Sequence, residues 1–119
     1  MVYDVKDDIL YSAHSKMGAF INGVPFERPE TPEFGIIHLT PSYLKERKYD
    51  EFSKKFMGIR YLEVCTIEVI RVAIGEASCF YRKNQEVWDY KAAVIFAEMV
   101  GVQVEISDNH DVLVGTSFY

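Results

Sequence analysis

From residue 34 onward, short apolar segments typical of strands alternate with segments that have helical periodicity. Thr40-Pro41 marks the start of one helix, because threonine is a good N-cap and proline is tolerated at the first helical position. Residues 65–74 are mostly apolar, with Glu68 and Arg71 three residues apart on the one polar stripe. Such alternation predicts a layered α/β domain over residues 31–119.

Residues 1–30 have the pattern of an antiparallel meander. Asn22-Gly23 lies between two apolar runs and predicts a hairpin, since both central residues of a type I′ turn need positive φ. Pro25 cannot donate a ladder hydrogen bond and therefore indicates an edge strand. Two prolines and three glutamates in residues 27–33 mark the boundary between the two units. The predicted fold is thus α/β, an α+β meander remnant followed by the layered domain.

Charge and composition exclude several functional classes. The net charge is −5 and the isoelectric point is about 5.1, so a nucleic-acid partner is not expected. No apolar run has the length of a membrane span, and the chain does not open on a signal-peptide pattern. Cys65 and Cys79 have no metal-binding spacing and are expected to be reduced thiols in the core, which favours a cytoplasmic protein.

A tryptophan and an acidic residue precede a long apolar segment that ends at Gly101. Asp89 therefore stands where an N-cap is expected, with its carboxylate facing the free N–H groups of a first helical turn. A carboxylate in this position is also well placed to hold a divalent cation. From the residues alone, capping is the simpler interpretation and metal binding is the alternative.

Three stretches of the chain share their order with one known family. Tyr11-Ser12-Ala13 followed by Gly18 to Gly23 resembles a strand and a G-A-[FY]-x-N-G hairpin. The segment from Arg60 to Tyr81 is similar to a later strand, helix and strand. Trp88-Asp89 with Ala92-Ala93 resembles a W-D-x-A-[AG]-[AG] motif. Together they resemble the later half of the inositol monophosphatase-like family, magnesium-dependent phosphatases that also include fructose bisphosphatases.

The resemblance implies roles for four residues. Asp89 corresponds to a metal ligand, which implies Mg²⁺ as the cofactor and a phosphorylated small molecule as the partner. Arg82 stands where some members carry a substrate-binding acid. Cys65 lies in the segment that replaces the family's G-[ST]-A-A turn, which helps line the substrate pocket. Lys91 replaces the first alanine of the W-D motif, where it could hold a phosphate or neutralise Asp89.

The family's other metal-binding motifs have no counterpart in these 119 residues. One carboxylate does not make a two-metal site, so we assign no catalytic residue and expect the chain to be inactive alone. The alternatives are a non-catalytic module that binds a phosphorylated ligand or a protein, and a structural module in which Asp89 is only a cap. A half-fold would leave sheet edges exposed, so we also expect either a missing N-terminal half or a homo-oligomer formed through residues 1–26.

Overall fold

The computed structural model describes residues 1–30, 35–46 and 54–115, and these residues form two β-sheets with helices between and beside them. The smaller sheet is antiparallel, in the order β1-β2-β3-β4. Its strands are β1 (Val2–Asp4), β2 (Ile9–His14), β3 (Gly18–Ile21) and β4 (Val24–Pro25). The predicted meander is therefore present, and β4 with its proline is an edge strand.

The turn between β3 and β4 confirms the predicted hairpin. Asn22 and Gly23 have φ angles of 49° and 77°, the left-handed values that a type I′ turn requires at both central positions. The Asn22 side chain also accepts a hydrogen bond from the backbone N–H of Leu10, with the two atoms 2.8 Å apart. The asparagine thus fixes both the turn and the start of β2.

The larger sheet has the order β6-β5-β7-β9-β8, with parallel pairing among β6, β5 and β7 and antiparallel pairing of β9 with both neighbours. Its strands are β5 (Ile36–His38), β6 (Gly58–Arg60), β7 (Cys79–Arg82), β8 (Val104–Ile106) and β9 (Val112–Gly115). The helices in the described ranges are α1 (Pro41–Glu46), α2 (Cys65–Ala73) and α3 (Val87–Met99). The predicted α/β class is confirmed.

The larger sheet separates two hydrophobic clusters, because successive side chains of a strand point to opposite faces. In β7, Cys79 and Tyr81 join the cluster on the α1 side, whereas Phe80 joins the cluster on the side of α2 and α3. Both cysteines are buried free thiols, as expected. No helix in the described ranges is long and apolar enough to cross a membrane.

The smaller sheet shares a core with the helices. Helix α3 packs against β2 and β3 of the smaller sheet and against β8 of the larger sheet. The ring of Tyr11 meets that of Phe96 edge-on, with centroids 5.7 Å apart. The Arg28 Nε atom donates to the backbone oxygen of Val72 at 3.1 Å. The meander therefore packs on the layered part through α3, and the division at residues 27–33 stays a prediction.

Gly115, at the end of β9, is needed for close packing between this strand and its neighbours. Its φ is 92°, and a Cβ atom built on it would lie 2.2 Å from the backbone oxygen of Ser78 and 2.9 Å from Cγ1 of Val72. Both distances are far below van der Waals contact. Only glycine fits this position without moving the backbone.

Helix α3 begins two residues before Asp89, so the N-cap prediction was wrong. The N-cap is Glu86, whose side chain makes no capping hydrogen bond. The Asp89 N–H donates to the Glu86 backbone oxygen at 2.9 Å, which places Asp89 in the first turn. Its negative charge still complements the helix dipole there. The predicted end of the helix is confirmed, since Gly101 follows it with a φ of 89°.

Candidate functional site

The carboxyl ends of two neighbouring parallel strands form the best candidate site. His38 is the last residue of β5, and Arg82 is the last residue of β7, which pairs with β5 in parallel. In α/β sheets, ligands bind outside the carboxyl ends of the strands. Both side chains lie on the face of the sheet that is covered by α2, because both contact a residue of that helix.

That residue is Glu68, whose carboxylate joins the ends of the two strands. His38 Nδ1 lies 3.0 Å from Glu68 Oε2, and Arg82 Nη2 donates to Glu68 Oε1. The three residues are buried, with exposed fractions of 4%, 0% and 9% for His38, Glu68 and Arg82. Glu68, which is predicted to share a polar stripe with Arg71, is thus fully buried, whereas Arg71 bonds to Glu76 at the surface. We name this group the Glu68 network.

Arg82 is fixed by its surroundings. Its guanidinium carbon lies 5.2 Å from the centroid of the Tyr61 ring and 5.3 Å from that of Phe80. Contacts of this kind are favourable cation–π interactions. Within the described part of the chain, its Nε atom is buried and has no hydrogen-bond partner. The guanidinium is therefore held in place with one N–H donor still unsatisfied.

A polar cavity of about 300 Å³ adjoins Arg82 at the ends of these strands. It lies between the segment that follows β5 and the loop that follows β7. The residues that line it are Thr40, Ser42, Tyr43, Arg82, Lys83, Asn84 and Gln85. The lining residues include two basic residues, two with aliphatic hydroxyls and two with side-chain amides, around a space of small-molecule size. We name it the Arg82 cavity.

Asp89 and Cys65 lie near the Glu68 network, where α2 and α3 begin. The Thr66 hydroxyl donates to the backbone oxygen of Asp89 at 2.7 Å and joins the first turns of the two helices. Burial raises the pKa of Cys65 to about 12, although the Arg82 charge lowers it and the charges of Glu68 and Asp89 raise it further. The thiol is therefore neutral near pH 7 and is not an activated nucleophile.

The turn before α2 departs from ordinary backbone geometry. Glu63 has a φ of 64°, a left-handed value that non-glycine residues rarely adopt. It occupies the first position of the segment that replaces the family's G-[ST]-A-A turn, where glycine would adopt this angle at no steric cost. Val64, the N-cap of α2, makes no side-chain capping bond.

Lys91 lies apart from the other three predicted residues. Positions two apart on a helix do not face each other, so Lys91 and Asp89 are on different sides of α3. Lys91 lines a second cavity of about 410 Å³, between α3 and the smaller sheet, together with Trp88 and Ile95. The structure therefore brings Asp89, Cys65 and Arg82 into one region and places Lys91 in another.

The resemblance implies a metal-binding role for Asp89, and the structure describes its surroundings. Across residues 1–30, 35–46 and 54–115, no group of three or more His, Cys, Asp or Glu side chains could hold a metal ion. Asp89 is exposed, so its carboxylate is accessible to a cation. A carboxylate oxygen suits Mg²⁺ as one ligand among several, but these residues do not by themselves form a two-metal site.

The Glu68 network is the feature of the candidate site that sequence reasoning missed. The available signal was the one acidic residue of a mostly apolar helix. A buried carboxylate requires partners, and the chain offers arginine and histidine at strand ends. The pairing itself was hidden, because it depends on which strands lie side by side.

Comparison with known proteins gives a consistent result in sequence and structure. The inositol-1-monophosphatase of Bacillus subtilis (strain 168) is 28% identical over 131 residues, which cover 97% of this chain and 49% of that protein. The solved inositol monophosphatase II from Staphylococcus aureus superposes with a TM-score of 0.82 at 21% identity, over 98% of this chain and 50% of the other. An inositol monophosphatase/NADP phosphatase solved with NADP and Ca²⁺ gives a TM-score of 0.84 at 23% identity, over 98% and 50%.

No model of a protein family matches the sequence. The chain spans about half the length of the curated relative and of the two solved structures. In sequence and in fold, it therefore resembles the inositol monophosphatase family, over a length consistent with the C-terminal half of those proteins.

Proposed function

We propose that this 119-residue chain is the part of a magnesium-dependent phosphomonoesterase fold that supplies one metal ligand, Asp89, and that it hydrolyses no phosphate ester by itself. The observation that carries this proposal is that, within the described part of the chain, Asp89 belongs to no group of three or more potential metal ligands. It is exposed in the first turn of α3, and the described residues offer no group of three potential ligands. Phosphoryl transfer in two-metal sites needs several carboxylates around the paired ions.

The related proteins support a phosphorylated small molecule as the ligand. The Bacillus subtilis relative is named for an inositol monophosphate, and one solved structure holds NADP with a divalent cation. When bound, Mg²⁺ would neutralise phosphate charge and polarise water. The contribution of this chain would be to present the Asp89 carboxylate and to hold it through the bond between Thr66 and the backbone of Asp89.

A second candidate function is a non-catalytic module that binds a phosphorylated ligand or a protein. The Glu68 network favours it. A buried arginine, paired with Glu68, stands where some members of the family carry a substrate-binding acid. Such a reversal of charge changes the chemistry that the pocket offers to a substrate. This candidate also predicts no turnover, so binding measurements must separate the two.

The test combines activity with direct metal binding. Phosphate release from a panel of inositol and sugar phosphates is measured with Mg²⁺ for the purified chain and for Asp89→Asn. Glu98→Gln is the matched control, because Glu98 is an exposed acid on the same helix. We expect no turnover from any of the three. Mn²⁺ binding, followed by electron paramagnetic resonance, should be lost in Asp89→Asn and kept in Glu98→Gln.

The stability of Asp89→Asn separates ligation from helix stabilisation. Asparagine keeps the size of the side chain and removes the charge, so we expect a loss of less than about 1 kcal/mol in the free energy of unfolding. Turnover that disappears in Asp89→Asn would overturn the proposed inactivity. Mn²⁺ binding that Asp89→Asn leaves unchanged would show that Asp89 is not a ligand.

A further inference from the structure

We propose that the cavity between α3 and the smaller sheet binds a small aromatic carboxylate. We name it the Trp88 cavity. Its volume is about 410 Å³, which lies in the range of small-molecule sites. Asp89 does not line this cavity, and no metal ion takes part in the proposed binding. The inference therefore goes beyond the proposed function and does not rest on it.

One wall of the Trp88 cavity is a single stripe of α3. The lining residues of this stripe follow Trp88 at spacings of three, four and seven positions, which places them on one face of the helix. They are Lys91, Ala92 and Ile95. In a globular protein, an apolar stripe of this kind usually packs against a neighbouring element. Here Trp88 is 79% exposed, so this part of the stripe stays open to a ligand.

The other wall of the cavity is strand β2, which contributes Tyr11 and Ala13. Because these two residues are two apart in a strand, they lie on the same face of the sheet. Tyr11 and Phe96 are buried lining residues whose rings meet edge-on, so they form an aromatic floor. Each wall carries an alanine, Ala13 or Ala92, where a larger side chain would fill the space. The cavity is thus a hollow above a packed aromatic layer.

The lining favours an aromatic ring as the ligand. Three of the eight lining residues are aromatic, namely Tyr11, Trp88 and Phe96. Aromatic rings that stack or meet edge to face gain free energy beyond that of the area they bury. Trp88 has no ring partner among the described residues, so the faces of its indole are available. Exposed apolar surface beside a cavity is typical of a binding site.

The charge at the cavity favours an anion. Lys91 is the only charged residue that lines it, and this side chain makes no ion pair within the described part of the chain. The positions three and four away from Lys91 on the helix are all uncharged, so no neighbouring acid competes for its ammonium group. These positions are Val87, Trp88, Val94 and Ile95. An ammonium beside apolar surface attracts an anion more strongly than one that is fully surrounded by water.

A carboxylate suits this cavity better than a phosphate group does. A phosphate monoester carries a charge of about −1.5 to −2 near pH 7 and several strong acceptor oxygens. The cavity offers one ammonium group, and no serine, threonine, asparagine or glutamine is among its described lining residues. A carboxylate carries a single charge that Lys91 alone can balance. The chemical class is therefore a flat aromatic ring with one carboxylate.

The test is titration of the full chain with naphthoate in the presence of a metal chelator, followed by methyl NMR shifts and calorimetry. The chelator removes any cation from Asp89, so failure here and failure of the proposed function are separate results. Naphthamide has nearly the same shape without the charge and tests the contribution of the carboxylate. Cyclohexanecarboxylate keeps the charge and tests the contribution of the aromatic ring.

Three variants change the cavity at exposed positions of α3. Lys91→Gln removes the charge, Trp88→Ala removes the exposed ring, and Ala92→Leu fills the hollow. Lys6→Gln and Ile106→Ala are the matched controls, because both residues are exposed and neither lines the cavity. Far-UV circular dichroism confirms that each variant is folded.

We expect saturable binding of naphthoate that shifts the methyl resonances of Ala13, Ala92 and Ile95. Lys91→Gln should weaken this binding by about threefold, as expected for one exposed charge. Trp88→Ala should weaken it by about tenfold, as expected for the loss of a ring contact. Ala92→Leu should abolish it, and both controls should leave it unchanged. Naphthamide and cyclohexanecarboxylate should each bind more weakly than naphthoate.

The absence of saturable naphthoate binding by the parent chain would overturn the inference, and so would unchanged binding in folded Ala92→Leu. Equal affinity for naphthamide would also overturn it, because Lys91 would then play no part. The remaining alternative is a second copy of the chain on this surface. Naphthoate binding that weakens as the protein concentration rises, together with a dimer in sedimentation that Trp88→Ala dissociates, would assign the surface to that second copy.

Discussion

The Glu68 network makes a quantitative prediction about stability. Replacing Arg82 with methionine keeps much of the side-chain length but leaves the Glu68 carboxylate, which is 0% exposed, without its cation. Removal of one partner from a buried ion pair typically costs about 3–5 kcal/mol. The hydrogen bond from His38 to Glu68 persists, so we expect the lower end of this range, about 3 kcal/mol.

Removing both charges should have a different result. In the combined variant Glu68→Leu with Arg82→Met, neither ion is desolvated without a partner, and apolar contacts replace the pair. Such replacements are often neutral or stabilising. His38 loses its acceptor, which costs about 1 kcal/mol. We therefore expect the free energy of unfolding of the combined variant to lie within about 2 kcal/mol of that of the parent chain, although each single change is costly.

The assay is equilibrium unfolding in urea at neutral pH, followed by far-UV circular dichroism, for the parent, both single variants and the combined variant. The four values form a double-mutant cycle whose coupling energy isolates the pair. Our reasoning requires a coupling of about 3 kcal/mol or more between Glu68 and Arg82. If the two single costs simply add in the combined variant, the pair is not a buried ion pair of the kind described.

Three further predictions concern packing, pH and assembly. Gly115→Ala should lower the free energy of unfolding by about 2–5 kcal/mol, because its Cβ atom would overlap neighbouring atoms. Gly101→Ala should cost only about 1–2 kcal/mol, since a Cβ atom there meets nothing within 4 Å. Equal losses in thermal melts would refute the steric explanation. Burial raises the pKa of Cys65 from 9.0 to about 12 and also raises that of Cys79. Because the unfolded chain then loses these protons first, the contribution of the neutral thiols to the free energy of unfolding should be fully present below pH 9.0 and fall as the pH rises towards 12. Urea unfolding between pH 9 and 12 should show a smaller fall in the free energy of unfolding when both cysteines are replaced by alanine. An equal fall would contradict this prediction. Sedimentation should show a dimer formed through the edge of β1, converted to monomer by Val5→Lys, since Val5 is 79% exposed; a parent chain that stays monomeric at high concentration would exclude this.

The meander and the alternation of strands and helices could be predicted from sequence because their signals are local. The Asn22-Gly23 turn needs only two adjacent residues that tolerate positive φ. Helix α2 shows its apolar character within a few turns. The start of α3 was misjudged because Asp89 has the chemistry of a cap, whereas the helix begins at Val87 without any side-chain cap. Local propensity therefore gave the helix but not its first residue.

The site was less predictable because it is built from distant parts of the chain. Glu68 is 30 residues from His38 and 14 from Arg82, and only the pairing of β5 with β7 brings their ends together. Helical periodicity cannot show that the polar face of α2 covers these strand ends instead of facing water. The position of Lys91 on the side of α3 opposite Asp89 does follow from helix geometry, since two residues correspond to about 200° of rotation.

Trp88 gives the folded chain an unusual optical property. It is the only tryptophan, 79% of its surface is exposed, and its ring borders the cavity between α3 and the smaller sheet. An indole that already faces water emits at long wavelength, so unfolding should shift its emission maximum very little. A molecule or a second chain that covers this face would move the emission to shorter wavelength. The emission wavelength of Trp88 is thus a poor probe of unfolding. It is instead a probe of contacts made with that surface.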